Sequence, residues 1–260
     1  SEGAARFDTM FFTETMRLTP EQIAAQHQGA EVGGAKHAII GTLIVTGMAT
    51  LFAVPFGLFT AIYLVEYGRG RLANWITSLV DVMTGIPSIV AGLFAYAVFV
   101  MVFGPGTRSG LAAAVALTVL MTPVVVRSAE EMLRLVPNEL REASYALGVP
   151  KWKTIVKVVL PTAIAGILTG VTLAIARVIG ETAPLLVTAG VAQGTNLNPF
   201  SGRMTTLPVY TYRSYKFPSL PVEAYIDRAF AAALTLVLLV ALLFAVARIL
   251  ATVLEPKGNG

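Results

Sequence analysis

Arg177 and Glu181 are the residues in this sequence best suited to chemistry. They stand four apart in the apolar stretch Ala176-Arg177-Val178-Ile179-Gly180-Glu181-Thr182-Ala183-Pro184. That spacing puts both side chains on one face of a helix. The stretch reads as the middle of a membrane-sized segment, where an arginine costs about 2.5–3.5 kcal/mol to insert and needs a partner or water. A guanidinium presents a fixed fork of donors that fits phosphate or sulfate oxygens, and it stays charged at any relevant pH. Glu181, with Thr182 beside it, would hold Arg177 between passages, so that an anion exchanges one partner for another and is not trapped. Two readings stand together: a substrate pathway on Arg177, Glu181 and Thr182, or a locked pair that permits helix packing or sits nearer the outer interface.

A second set lies in a long charged stretch between membrane-sized segments. Pro137 and Asn138 start a short helix, and Glu139 and Glu142 favour its positive end. Ala143, Ser144, Ala146 and Leu147 follow, and Gly148 is placed to take the left-handed conformation that stops a helix. A face of small residues suits insertion into a groove on a partner; a solvated connector between spans is the plainer reading. A third set, Gly85, Pro87 and Ser88, interrupts an apolar run. It reads either as a helix restart with Pro87 in the first turn or as a broken helix lining a cavity, where free backbone groups are tolerable. Asp81, near Asn74 and Trp75, reads as a surface or packing residue at the cytoplasmic face.

The elements that must position these residues are membrane helices. Mean hydropathy is +0.73, and 55% of residues are hydrophobic against 13% charged, about half the charged share of a soluble domain. A span needs about 20 apolar residues, so 260 residues hold several. The net charge of +4 sits in short loops beside apolar runs, which is topology and not a nucleic-acid groove. Without cysteine, thiolate metal sites and disulfides are excluded, and two histidines, His27 and His37, make a metal centre improbable. The glycines before Lys36 lack phosphate-loop spacing, and His37 stands where Ser or Thr is required.

The expected spans cover 37–65, bent near Pro55 and Gly57, then 75–103, 110–126, 162–190 and 230–254. Gly166 and Gly170 form a GxxxG that lets a neighbouring helix approach. Residues 1–36 do not read as a signal peptide, having neither a basic nor an apolar leader region, and Thr19-Pro20-Glu21-Gln22 reads as a capped helix start. The basic loops at Arg69 and Arg71 and at 127–157 fall on one side of five crossings. By the positive-inside rule that side is the cytoplasm, with the tail 255–260, while 1–36 and the aromatic loop 191–228 face outward.

Glu142-Ala143-Ser144 with Gly148, and Leu160-Pro161 further on, resembles the EAA loop of ABC-importer permeases. Together with Ala61-Ile62-Tyr63-Leu64-Val65-Glu66-Tyr67, Gly85-Ile86-Pro87-Ser88-Ile89-Val90 and the Arg177 stretch, the chain from 37 to 254 is similar to the PstA-type subunit family of phosphate-specific importers. Ser144 stands where that family usually has Ala. The resemblance implies an all-α type I importer permease fold, and a further N-terminal span than the five visible here. It implies a bacterial cytoplasmic (inner) membrane and four partners: a second permease (PstC-type), two ATPases (PstB-type) that bind ATP and Mg, and an extracytoplasmic phosphate-binding protein (PstS-type). The EAA helix would dock in a groove on the ATPase. No Walker sequence is present, so the chain is expected to have no ATPase site, no cofactor and no catalytic residue of its own. A permease for sulfate or molybdate, and an ion-coupled carrier or membrane scaffold without an ATPase, stay open as alternatives.

Overall fold

A computed structural model describes residues 8–16, 33–219 and 222–254. The capped start at Thr19-Pro20-Glu21-Gln22 and the tail 255–260 lie outside them. Every element among the described residues is helical: α1 (Thr9–Thr13), α2 (Lys36–Ile62, continued by a π turn over Tyr63–Tyr67), α3 (Arg71–Thr84), α4 (Ser88–Phe103), α5 (Gly110–Arg134) and α6 (Asn138–Ala146) come first. Then follow α7 (Lys151–Ile179, with a π turn over Ile155–Val159), α8 (Ala183–Thr188), α9 (Leu207–Lys216) and α10 (Val222–Leu254). In lipid each backbone group must be satisfied within its segment, and only a helix does so for a single chain segment.

Among the described residues, four helices are long and apolar enough to cross a membrane: α2, α5, α7 and α10. The bent pair α3 and α4 makes up to five. The expected crossing at 75–103 is therefore not one rod. Pro87 caps α4, as the restart reading has it, and the helix is interrupted over residues 85–87. Pro87 lacks an N–H and bars Ile86 from helical geometry, so α3 ends before it.

Two further boundaries differ from the sequence reading. The charged stretch 127–157 is not one loop: α5 runs to Arg134, so Arg127 and Arg134 are helical. The fourth span begins at Lys151, not 162, and ends at Ile179, well before 190. Charged residues at the ends of a span remain helical because the backbone ladder carries on into the interface.

The chain divides into two compact units. One holds Ser1–Thr50, Ile86–Val119 and Arg177–Val240; the other holds Leu51–Gly85, Leu120–Ala176 and Ala241–Gly260. In the first, Phe11, Ala35, Ala38, Leu207, Tyr210, Ala231 and Ala232 form a core. Helix α2 comes so close to the 204–206 segment that a Cβ on Gly41 would lie 2.0 Å from the Thr205 carbonyl. In the second, Leu133, Val159 and Ile167 pack with Ala61, Ala129 and Ala163. There the GxxxG does what its spacing suggested. A Cβ on Gly170 would lie 1.6 Å from Ser128 Oγ and one on Gly166 2.2 Å from Met132 Sδ, so α7 meets α5 along bare glycine.

Candidate functional site

Arg177 lies in the last turn of α7. It therefore stands at the end of the long helix and not at its middle. The helix stops two residues later. The Glu181 N–H closes a turn on the Val178 carbonyl at 3.1 Å, and α8 starts at Ala183 with Pro184 in its first turn. Proline is suited to that position because its missing N–H would have no partner there in any case.

This break corrects the pairing drawn from spacing. Glu181 lies past the helix end, so the four-residue rule does not apply to it, and no ion pair joins it to Arg177. Among the described residues neither side chain has a hydrogen bond or ion pair. Arg177 is exposed and Glu181 and Thr182 are half-buried. A cation in the final turn also complements the negative end of the helix dipole.

What lies beyond the two breaks comes together in the first unit. Gly92 of α4 faces Pro184 of α8, and a Cβ there would lie 2.5 Å from the Pro184 Cα. Helix α8 also packs inward through Leu185 and Thr188. The Gly85-Ile86-Pro87-Ser88 and Gly180-Glu181-Thr182-Ala183-Pro184 stretches thus introduce two helices in direct contact. Gly85 and Pro87 are exposed and Ser88 is half-buried.

In the second unit, α6 has the form its sequence indicated. Pro137 occupies the N-cap, and Gly148 ends it at φ +76°. Glu142, Ala143, Ala146, Leu147 and Gly148 are exposed, Leu147 to 83%. Ser144 is the exception to the expected docking face. It is buried, and its hydroxyl shares a 2.8 Å hydrogen bond with Thr154 Oγ1 at the start of α7. A serine here ties α6 down, and its neighbours remain available outside.

Sequence reasoning missed how the charges of this unit are spent. Arg141 donates to Glu66 Oε1 from Nε at 3.1 Å and Nη2 at 3.0 Å. Glu130, nearly buried, accepts from Arg127 Nη1 at 2.8 Å and Arg134 Nη2 at 2.8 Å, and Arg127 also pairs with Asp81. Asp81, read as a surface or packing residue, is exposed and paired with Arg127. The i+3 and i+4 spacing of Arg127, Glu130 and Arg134 was a usable signal. It went unused because the stretch read as loop. Among the described residues no three His, Asp or Glu side chains come close enough to hold a metal ion.

The family of binding-protein-dependent transport system inner membrane components matches residues 53–259. Phosphate transport system permease protein PstA 1 of Mycobacterium tuberculosis is 51% identical over 232 residues, 89% of this chain and 72% of that protein. PstA of Mycobacterium leprae is 48% identical over 240 residues, 92% and 74% of the two chains. A solved structure of the MetNI methionine ABC transporter, in an inward-facing conformation, covers 92% of this chain and 100% of its own at TM-score 0.70. At 20% identity that likeness speaks for the fold alone. The chain is thus a multi-pass membrane protein with the ABC-importer permease fold, and it belongs to the binding-protein-dependent inner membrane component family, among the phosphate transport system permeases of the PstA type.

Proposed function

We infer that this chain is the permease subunit of an ATP-driven phosphate importer, and that Arg177, Glu181 and Thr182 stand on the path the anion takes. The observation that carries the reading is an arginine with no partner among the described residues, beside a break in a membrane helix. A bonded guanidinium gives nothing to a passing anion; this one has its whole donor fork to offer. Glu181, close in sequence and held apart from Arg177, limits the net positive charge and so keeps the grip reversible. The helix break supplies free backbone groups where a rod would have none. Gly85, Pro87 and Ser88 precede the second helix that lines this region.

Transport then runs by alternating access. A separate ATPase pair, holding ATP and Mg, docks on the exposed side of α6 through Glu142, Ala143, Ala146, Leu147 and Gly148, with Ser144 bracing the helix from within. A second permease completes the pathway, and an extracytoplasmic phosphate-binding protein delivers the cargo. Residues 1–36 and 191–228 face outward from the cytoplasmic membrane. The 135–150 stretch and the tail 255–260 face the cytoplasm. The test is Arg177→Gln: the variant should co-purify with its ATPase and lose phosphate uptake, and normal uptake would remove Arg177 from the path. Competition by sulfate or molybdate in the same assay separates phosphate from other tetrahedral oxyanions.

A further inference from the structure

The α6 helix touches water on most of its surface, so a displacement imposed there must leave through few attachments. Toward α7 it is tied by the Ser144 to Thr154 hydrogen bond and by the chain itself through Val149 and Pro150. Toward α5 the chain again suffices, across the three residues 135–137. Helix α2 is different: its nearest residue to the contact, Glu66, is 75 positions away from Arg141 in sequence.

That distance is closed by one side chain. Arg141 donates from Nε and Nη2 to Glu66 Oε1, from Nη2 to the Leu133 carbonyl at 2.9 Å, and from Nη1 to the Val136 carbonyl at 2.6 Å. The guanidinium fork thus joins the Glu66 side chain, in the turn that ends α2, to the Leu133 carbonyl in the last turn of α5 and the Val136 carbonyl in the connector after it. The pair is sheltered: the side chains are 12% exposed for Arg141 and 4% for Glu66. Lys151, the first residue of α7, donates to the backbone carbonyl of Glu66 and lies over the Tyr67 ring, 4.7 Å from its centroid. Glu66 itself sits in the π turn over Tyr63–Tyr67, and a second π turn, Ile155–Val159, lies just beyond Thr154. Such turns are rare and recur at functional places in helices.

We propose that Glu66 and Arg141 form a positioning pair that makes α2 follow the movement of α6, so that the ATPase stroke reaches three helices and not only the two that adjoin α6 in sequence. The pair touches neither phosphate nor ATP. It rests on the reading that an ATPase docks on α6, and co-purification reports on that reading separately.

The experiment uses the whole transporter in proteoliposomes with its binding protein, and records phosphate moved per ATP hydrolysed. Glu66→Gln should co-purify with the ATPase in the normal ratio and hydrolyse ATP at a near-normal rate. Phosphate moved per ATP should fall roughly threefold to thirtyfold, the scale on which residues in coupling networks act. An unchanged ratio in a folded variant would overturn the pair's role, as would uptake and hydrolysis falling in step. Should Glu66→Gln fail to assemble, a second variant keeps the question open to test. The chain has no cysteine, so Glu66→Cys with Arg141→Cys can be joined by a short bis-maleimide. Recovery of transport per ATP on crosslinking supports the pair; a crosslinked, assembled transporter that stays uncoupled overturns it.

Discussion

Two regions rich in charge use it in opposite ways. Around α6, each arginine of the α5–α6 segment is bonded: Arg127 and Arg134 to Glu130, Arg127 also to Asp81, and Arg141 to Glu66. At the break between α7 and α8, Arg177 and Glu181 stand near each other in sequence, and neither side chain is bonded to any described residue. The first arrangement is costly to disturb at its sheltered members, Glu130, Glu66 and Arg141, because removing one of them strands its partner. The second leaves a cation whose partner must come from elsewhere. The contrast teaches that an arginine's value for transport is read from what it does not hold.

The sharpest way to break this contrast is Arg177→Gln, measured as phosphate uptake by the assembled transporter. An anion that passes this point would lose the guanidinium fork open to it, so uptake should be largely lost with expression unchanged. Uptake that survived this change but vanished on Asp81→Asn would invert the comparison. Next in size is Gly170→Val, whose methyls would press into Ser128; a loss of about 1–3 kcal/mol is expected for overpacking, read as a lower melting temperature in detergent. Ser144→Ala should cost about 1 kcal/mol, because the buried Thr154 hydroxyl loses its short hydrogen bond. The same melting assay checks it, with ATPase co-purification intact. The smallest effect belongs to Asp81→Asn. Its side chain is 60% exposed, and exposed pairs contribute about 0–1 kcal/mol. A melting shift as large as that of Gly170→Val would show that the bonded network is one unit and not a set of separate pairs.

Much of this site was legible in the linear order of residues. Gly148 promised a left-handed stop and has φ +76°. Gly166 and Gly170 promised a close helix and receive Met132 and Ser128. These are local signals, carried by a residue's own conformational range or by one helical face. Reading Arg177 and Glu181 as a helical pair failed for the same reason in reverse: the four-residue rule assumes an unbroken helix, and α7 stops at Ile179. Ser144 looked like one more small residue on an outer face, but burial depends on which way α6 is turned, and that is set by contacts with α7.

The sequence by itself determined a helical membrane protein, the existence of a short polar helix between spans, and the interruption before Ser88. Apolar run length, proline and glycine dictate these things whatever the neighbours are. Only the tertiary structure decided which charges are satisfied. A salt bridge across 75 residues, such as Arg141 to Glu66, depends on helices meeting at a given depth and rotation, and no spacing along one chain encodes that. The same packing brought Pro184 against Gly92 and left the Arg177 side chain without a partner among the described residues.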